Sequence, residues 1–158
     1  MLKSKTDYVF WYSILIFIMG IPMSLLLNYF DENLDKEYQV FADPISEIFA
    51  ILIFAPFIET ILFQFTVIYV SLKVDFLKNA DSSVLTMSAL LFGLGHYYPK
   101  NHFVMIHAFI IGLVFAYLYL KILKKEDHFS ATIVTILTHF FVNLYAYIFN
   151  TVIDKFYS

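Results

Sequence analysis

Four side chains in this sequence are of the types that can hydrolyse a bond without a serine or cysteine nucleophile: Glu59, His96, His139 and Asn143. A carboxylate and an imidazole at one depth can act as general base and acid around a water molecule. A second imidazole with a carboxamide can donate hydrogen bonds to the oxyanion that forms when water attacks a peptide carbonyl. His139 and Asn143 are four residues apart, hence on one face of a helix. The three ionisable groups fall within apolar stretches, where such a group costs at least about 2.5–3.5 kcal/mol on insertion scales and marks a functional site by default. Plainer roles compete with this one. Glu59 could be a protonated packing residue, and His139 with Asn143 could be hydrogen-bonding glue between helices.

Five apolar stretches must position these groups: 9–30, about 45–70, 82–98, about 103–123 and about 131–153. A spanning helix needs roughly 17–25 apolar residues, so four qualify and the third is short. That third stretch follows Asp81-Ser82-Ser83, an expected N-cap, and stops at Pro99. The fold class expected is all-α: a polytopic transmembrane bundle of about five spanning helices, forming one domain over residues 1–158. Each stretch is apolar nearly all round, so periodicity does not orient it. The start, Met1 to Asp7, resembles a signal-peptide n-region, but the following apolar run is too long for a cleaved leader and reads as a retained helix.

Composition agrees. Hydrophobic residues make up 61% of the 158 and charged residues 15%, far from the roughly 45–50% and about 25% of a soluble domain. Lipid is the expected solvent. A net charge of −3 gives no argument for a nucleic-acid partner, and the absence of cysteine excludes disulfides, thiolate nucleophiles and Cys-based metal sites. All ten cationic side chains are lysines, alongside 19 Phe and 12 Tyr. That usage points to an AT-rich, bacterial coding sequence and so to a bacterial cytoplasmic membrane.

Loop lysines set the orientation. With the N-terminus inside, Lys3, Lys5, Lys73, Lys78, Lys121, Lys124 and Lys125 are cytoplasmic. Only Lys36, Lys100 and Lys155, with the acidic 31–43 loop, are external, which favours N-in and C-out. At 1.5 Å per residue, the four polar groups then share a layer about 9 Å deep. Gly93 and Gly95 ahead of His96 would let helices approach closely there. His102 and His107, at the outer end of the fourth stretch, read as interfacial or structural, and His128 as a solvated loop residue. Trp11 and the tyrosines near helix ends fit an interfacial belt.

The order of these groups resembles the CAAX-protease and bacteriocin-processing (CPBP, or Abi) family. Pro56-Phe-Ile-Glu59-Thr60-Ile-Leu-Phe-Gln64 is similar to its EExxxR motif, and Phe92-Gly-Leu-Gly-His96 to FxxxH. Phe109-Ile-Ile-Gly112, followed by Tyr117-Leu-Tyr119, looks like its glycine-containing helix, and His139-Phe-Phe-Val-Asn143 matches HxxxN. The resemblance covers about residues 45–150. It implies an intramembrane peptidase acting on a membrane-associated peptide or protein, with Glu59 and His96 activating water and His139 and Asn143 forming the oxyanion site. No cofactor is expected. If zinc is present, Glu59, His96 and His139 would be its ligands. Thr60 and Gln64 depart from the family pattern, standing where a second Glu and an Arg are usual. A charged pair has become a neutral one, a coordinated exchange that need not destabilise the helix. The same departure leaves room for a non-catalytic relative, a bacteriocin-immunity or scaffolding membrane protein. A small transporter or proton relay is a third reading.

Overall fold

The computed structural model describes residues 4–30, 43–77, 79–99 and 101–157. Lys3, Lys36, Lys78, Lys100 and most of the acidic 31–43 loop lie outside the described residues, as does the side chain of Lys155. Five helical stretches account for nearly all of it: α1 (Lys5–Phe30), α2 (Pro44–Ser71), α3 (Asp81–Gly95), α4 (His102–Leu123) and α5 (His128–Tyr157). No strand occurs among the described residues.

Helices α2, α4 and α5 are each long and apolar enough to cross a membrane. Helix α1 has 26 residues, about 39 Å of rise, and is uncharged after Asp7. Helix α3 has only 15 residues, or about 22 Å. That is short of the roughly 30 Å hydrocarbon core. His96, which caps its C-terminus, therefore falls at a helix end rather than within a span. The outward surface suits lipid, with Trp11, Ile18, Ile53, Phe54 and Phe57 each half exposed or more.

The lysine-bearing ends of the helices meet at one end of the bundle. Lys5 Nζ lies 2.6 Å from a Glu126 carboxylate oxygen and 3.0 Å from Ser130 Oγ, and Lys124 pairs with Asp81. Asp81 is thus an ion-pair partner and the first helical residue of α3, not its N-cap; that position is Ala80, which makes no side-chain cap. Lys121 Nζ sits 5.4–5.6 Å from the rings of Tyr8, Tyr12 and Tyr117. Tyr8 and Tyr12 are buried beneath it. Helix α5 begins three residues earlier than the apolar pattern alone predicts, because Asp127 accepts from the Ser130 backbone N–H at 2.7 Å and caps it.

Helix α3 packs most heavily on α4, and glycine on both sides makes the approach close. A methyl group on Gly93 would come within 2.9 Å of Phe109 Cβ and 3.0 Å of the Met105 carbonyl. One on Gly112 would come within 3.1 Å of Ala89 Cα.

Helix α2 is irregular. Its α-helical ladder opens into wider π-helical turns at Ala50–Phe54 and again at Thr60–Thr66, with the α-helical turn Ala55–Glu59 between them. Within the first wide turn the Ala55 N–H bonds back five residues to Ala50. The next bond of that series would join residue 56 to Ile51, but residue 56 is proline and has no N–H. The Ile51 carbonyl is served instead by Asn143 Nδ2 of α5 at 2.9 Å. In the second wide turn Ser88 Oγ of α3 donates to the Phe63 carbonyl at 2.7 Å. Both irregular turns are thus tied to a neighbouring helix.

Candidate active site

Helices α2, α3 and α5 bring three of the expected residues to one point. A single carboxylate oxygen, Glu59 Oε2, lies 3.6 Å from His96 Nε2 and 3.7 Å from His139 Nε2. Both distances exceed a direct hydrogen bond, so the three groups frame a small space rather than closing on one another. The Glu59 and His96 side chains are 23% and 32% exposed, whereas that of His139 is 6% exposed. The carboxylate and the first imidazole are thus open to the surface, while the second imidazole forms the inner wall.

Local structure fixes each ring. His96 caps α3, and its Nδ1 lies 2.8 Å from the Phe92 carbonyl of the last turn. A carbonyl only accepts, so Nδ1 carries a proton; in the neutral ring Nε2 is then a bare lone pair directed at Glu59. Phe92 packs on both imidazoles, with ring centroids 4.6 Å from His96 and 5.9 Å from His139. Phe115 of α4 packs on His139 more closely, at 4.5 Å. Glu59 ends the α-helical turn that follows Pro56, where the helix widens at Thr60. Single wide turns of this kind recur at functional sites.

Asn143 does not join the other three directly. One amide hydrogen is committed to the Ile51 carbonyl, leaving the second available. Thr60 and Gln64, the two departures, are fully buried on the interior of α2. They do not bond to each other: among the described residues Thr60 Oγ1 and both polar atoms of the Gln64 amide have no partner.

The remaining histidines lie elsewhere. His102 is exposed and stacks on Tyr97. His107 is half-buried, its Nε2 unpaired among the described residues and turned toward Gly20 in a cavity of about 70 Å³ between α1, α4 and α5. His128 is neither in a loop nor simply solvated. It opens α5, and its Nδ1 is 2.9 Å from the hydroxyl of the fully buried Tyr119, with Phe65 and Tyr69 against its ring. The sequence reading also missed Thr132 and Thr135. Together with His128, His139 and Asn143 they form a polar stripe at helical spacing, a signal present in the sequence. Phe115 left no such signal, since α4 is apolar on every side.

No group of three His, Cys, Asp or Glu side chains among the described residues is arranged to hold a metal ion. In the set Glu59, His96 and His139, the carboxylate lies 3.6 and 3.7 Å from the two imidazoles.

No curated protein and no solved structure matches the chain significantly. Residues 41–145 match the family described as type II CAAX prenyl endopeptidase Rce1-like. That segment begins just before α2 and ends two residues after Asn143, so it contains every residue placed at the site. The chain belongs to the Rce1-like family of type II CAAX prenyl endopeptidases.

Proposed function

We propose that the chain is an intramembrane endopeptidase that hydrolyses a peptide bond in a membrane-associated substrate, using water activated between Glu59 and His96. The observation that carries this reading is the convergence of Glu59, His96 and His139 within 3.7 Å, from three helices. Water held there gives a proton to the bare His96 Nε2 or to Glu59 as its oxygen adds to the carbonyl carbon. The oxyanion accepts from His139 Nε2 and from the second amide hydrogen of Asn143. The proton taken from water then passes to the leaving amine, and the C–N bond breaks. No serine, cysteine or acyl-enzyme is required.

The protein acts in the bilayer, and the lysine distribution supports a bacterial cytoplasmic membrane with the N-terminus inside and the C-terminus outside. One observation favours a second reading, a non-catalytic relative serving immunity or scaffolding: Thr60 and Gln64 replace the charged pair usual beside that glutamate.

The test is direct. Purified protein in lipid nanodiscs is incubated with membrane-anchored peptides, prenylated and not, and products are mapped by mass spectrometry. Cleavage at defined bonds, abolished by His96→Ala, supports the peptidase. Intact peptides in every case support the non-catalytic relative. Retention of cleavage after chelator treatment separates bare Glu/His water activation from a metal-assisted reaction.

A further inference from the structure

Six buried polar side-chain atoms have no hydrogen-bond partner among the described residues, and five of them belong to α2 and α5. They are Thr60 Oγ1, Gln64 Oε1 and Nε2, Thr135 Oγ1 and His139 Nδ1. Thr60, Gln64 and Thr135 are fully buried and His139 nearly so. Contacts above and below place the patch. Glu59 meets His139 on one side of it, and Ile68 shares a core cluster with Ala131 and Val134 on the other. The stretch of α2 bearing Thr60 and Gln64 therefore lies along the stretch of α5 bearing Thr135 and His139. Leaving a single buried polar atom unsatisfied costs about 1–3 kcal/mol. Five together call for enclosed water, which bridges such groups with two to four hydrogen bonds each.

We propose that Thr60, Gln64 and Thr135, with water enclosed among them, are positioning residues that hold His139 in the tautomer protonated at Nε2. The inference rests on the peptidase reading for its consequence, not for its geometry. Both imidazoles present Nε2 to the same carboxylate oxygen, but His139 Nδ1, unlike that of His96, has no carbonyl to donate to among the described residues, which favours the proton on Nε2. In a neutral ring Nδ1 must then accept. The patch supplies donors for it: two hydroxyls, an amide NH₂ and the water they hold. His96 is the opposite case, with its Nδ1 donating to Phe92 and its Nε2 bare. The two imidazoles would thus meet Glu59 in complementary states, one taking a proton from water and the other donating to the oxyanion. Thr60 and Gln64 would be working replacements for the charged pair, acting from behind the histidine.

Nitrogen NMR of ¹⁵N-histidine-labelled protein in nanodiscs tests this without any need for turnover, with His139 assigned by its loss in His139→Gln. The wild type should show a protonated Nε2 and a bare, hydrogen-bonded Nδ1 on His139, and the reverse on His96. The double variant Thr60→Val with Thr135→Val should move His139 toward the other tautomer. It should also lower kcat roughly ten- to a hundredfold at unchanged KM, part of the about 10²–10⁴-fold a positioned proton donor contributes. Thr60→Ser with Thr135→Ser should restore both. A proton on Nδ1 of wild-type His139 overturns the proposal even if the valine variant fails to fold, as does a folded valine variant with unchanged His139 resonances. The expected tautomers in a protein that cleaves nothing would instead sink the peptidase reading alone.

Discussion

Asn143 donates to the Ile51 carbonyl at 2.9 Å, in the place of the backbone N–H that Pro56 lacks. Two positions 92 residues apart are thereby coupled, and the coupling aligns α2 on α5 where Glu59 meets His139. Asn143→Ala should cost about 1–3 kcal/mol by leaving that carbonyl unpaired. Pro56→Ala restores a backbone donor, so the same change should cost less in that background. Unfolding in mixed micelles across the double-mutant cycle measures the coupling. An equal loss in both backgrounds would contradict it.

The α3–α4 contact should be intolerant at Gly93 and more forgiving at Gly95. A methyl group on Gly93 meets backbone and Cβ atoms of α4, whereas one on Gly95 meets the far edge of the Phe63 ring, which can swing aside. Gly93→Ala should destabilise by about 1–3 kcal/mol, in the range of overpacking. It should also displace His96, reducing cleavage beyond the loss of folded protein. Comparing unfolding midpoints and specific activities of the two variants checks both statements.

Gln64 is fully buried, which makes charge at this position conditional on a partner. Gln64→Arg alone should cost about 3–5 kcal/mol, the range for an unpaired buried charge. Adding Thr60→Glu should recover much of that loss. If the double variant is no more stable than Gln64→Arg, the two positions do not face each other as their spacing implies.

At the lysine-bearing end, Asp127 caps α5. Its carboxyl is held below its ordinary pKa of 3.8, chiefly by the Ser130 backbone N–H, then by the Ser130 hydroxyl, with Lys5 contributing less. A lowered native pKa stabilises the fold above the ordinary value and ceases to do so as pH falls through the native one. Asp127→Ala should therefore lower the melting temperature at neutral pH, with the difference shrinking only below about pH 4. A pH-independent difference would rule out the charged cap.

The sequence made the site residues legible because ionisable groups in apolar stretches are conspicuous. Helix positions were legible too, from the polar breaks between apolar runs. What it hid follows from the same uniform apolarity. Nothing in α4 distinguishes Phe115, pressed against His139, from its lipid-facing neighbours. The wide turns of α2 depend on Pro56 and on donors from other helices, Asn143 and Ser88, which no local pattern displays. Spacing, depth and the HxxxN resemblance mark Asn143 as an oxyanion donor, and only the packed structure shows one amide hydrogen already committed. His128 looked solvated because its partner Tyr119 lies on another helix.

In the proposed reaction Glu59, framed by His96 and His139, activates water for peptide hydrolysis. The rate of cleavage of a membrane-anchored peptide by wild type and by Glu59→Gln, side by side in nanodiscs, tests it most directly. Glutamine keeps the shape and removes the base, so the variant should fold normally and cleave at least about 10²-fold more slowly. A folded Glu59→Gln protein that cleaves as fast as wild type would contradict the account.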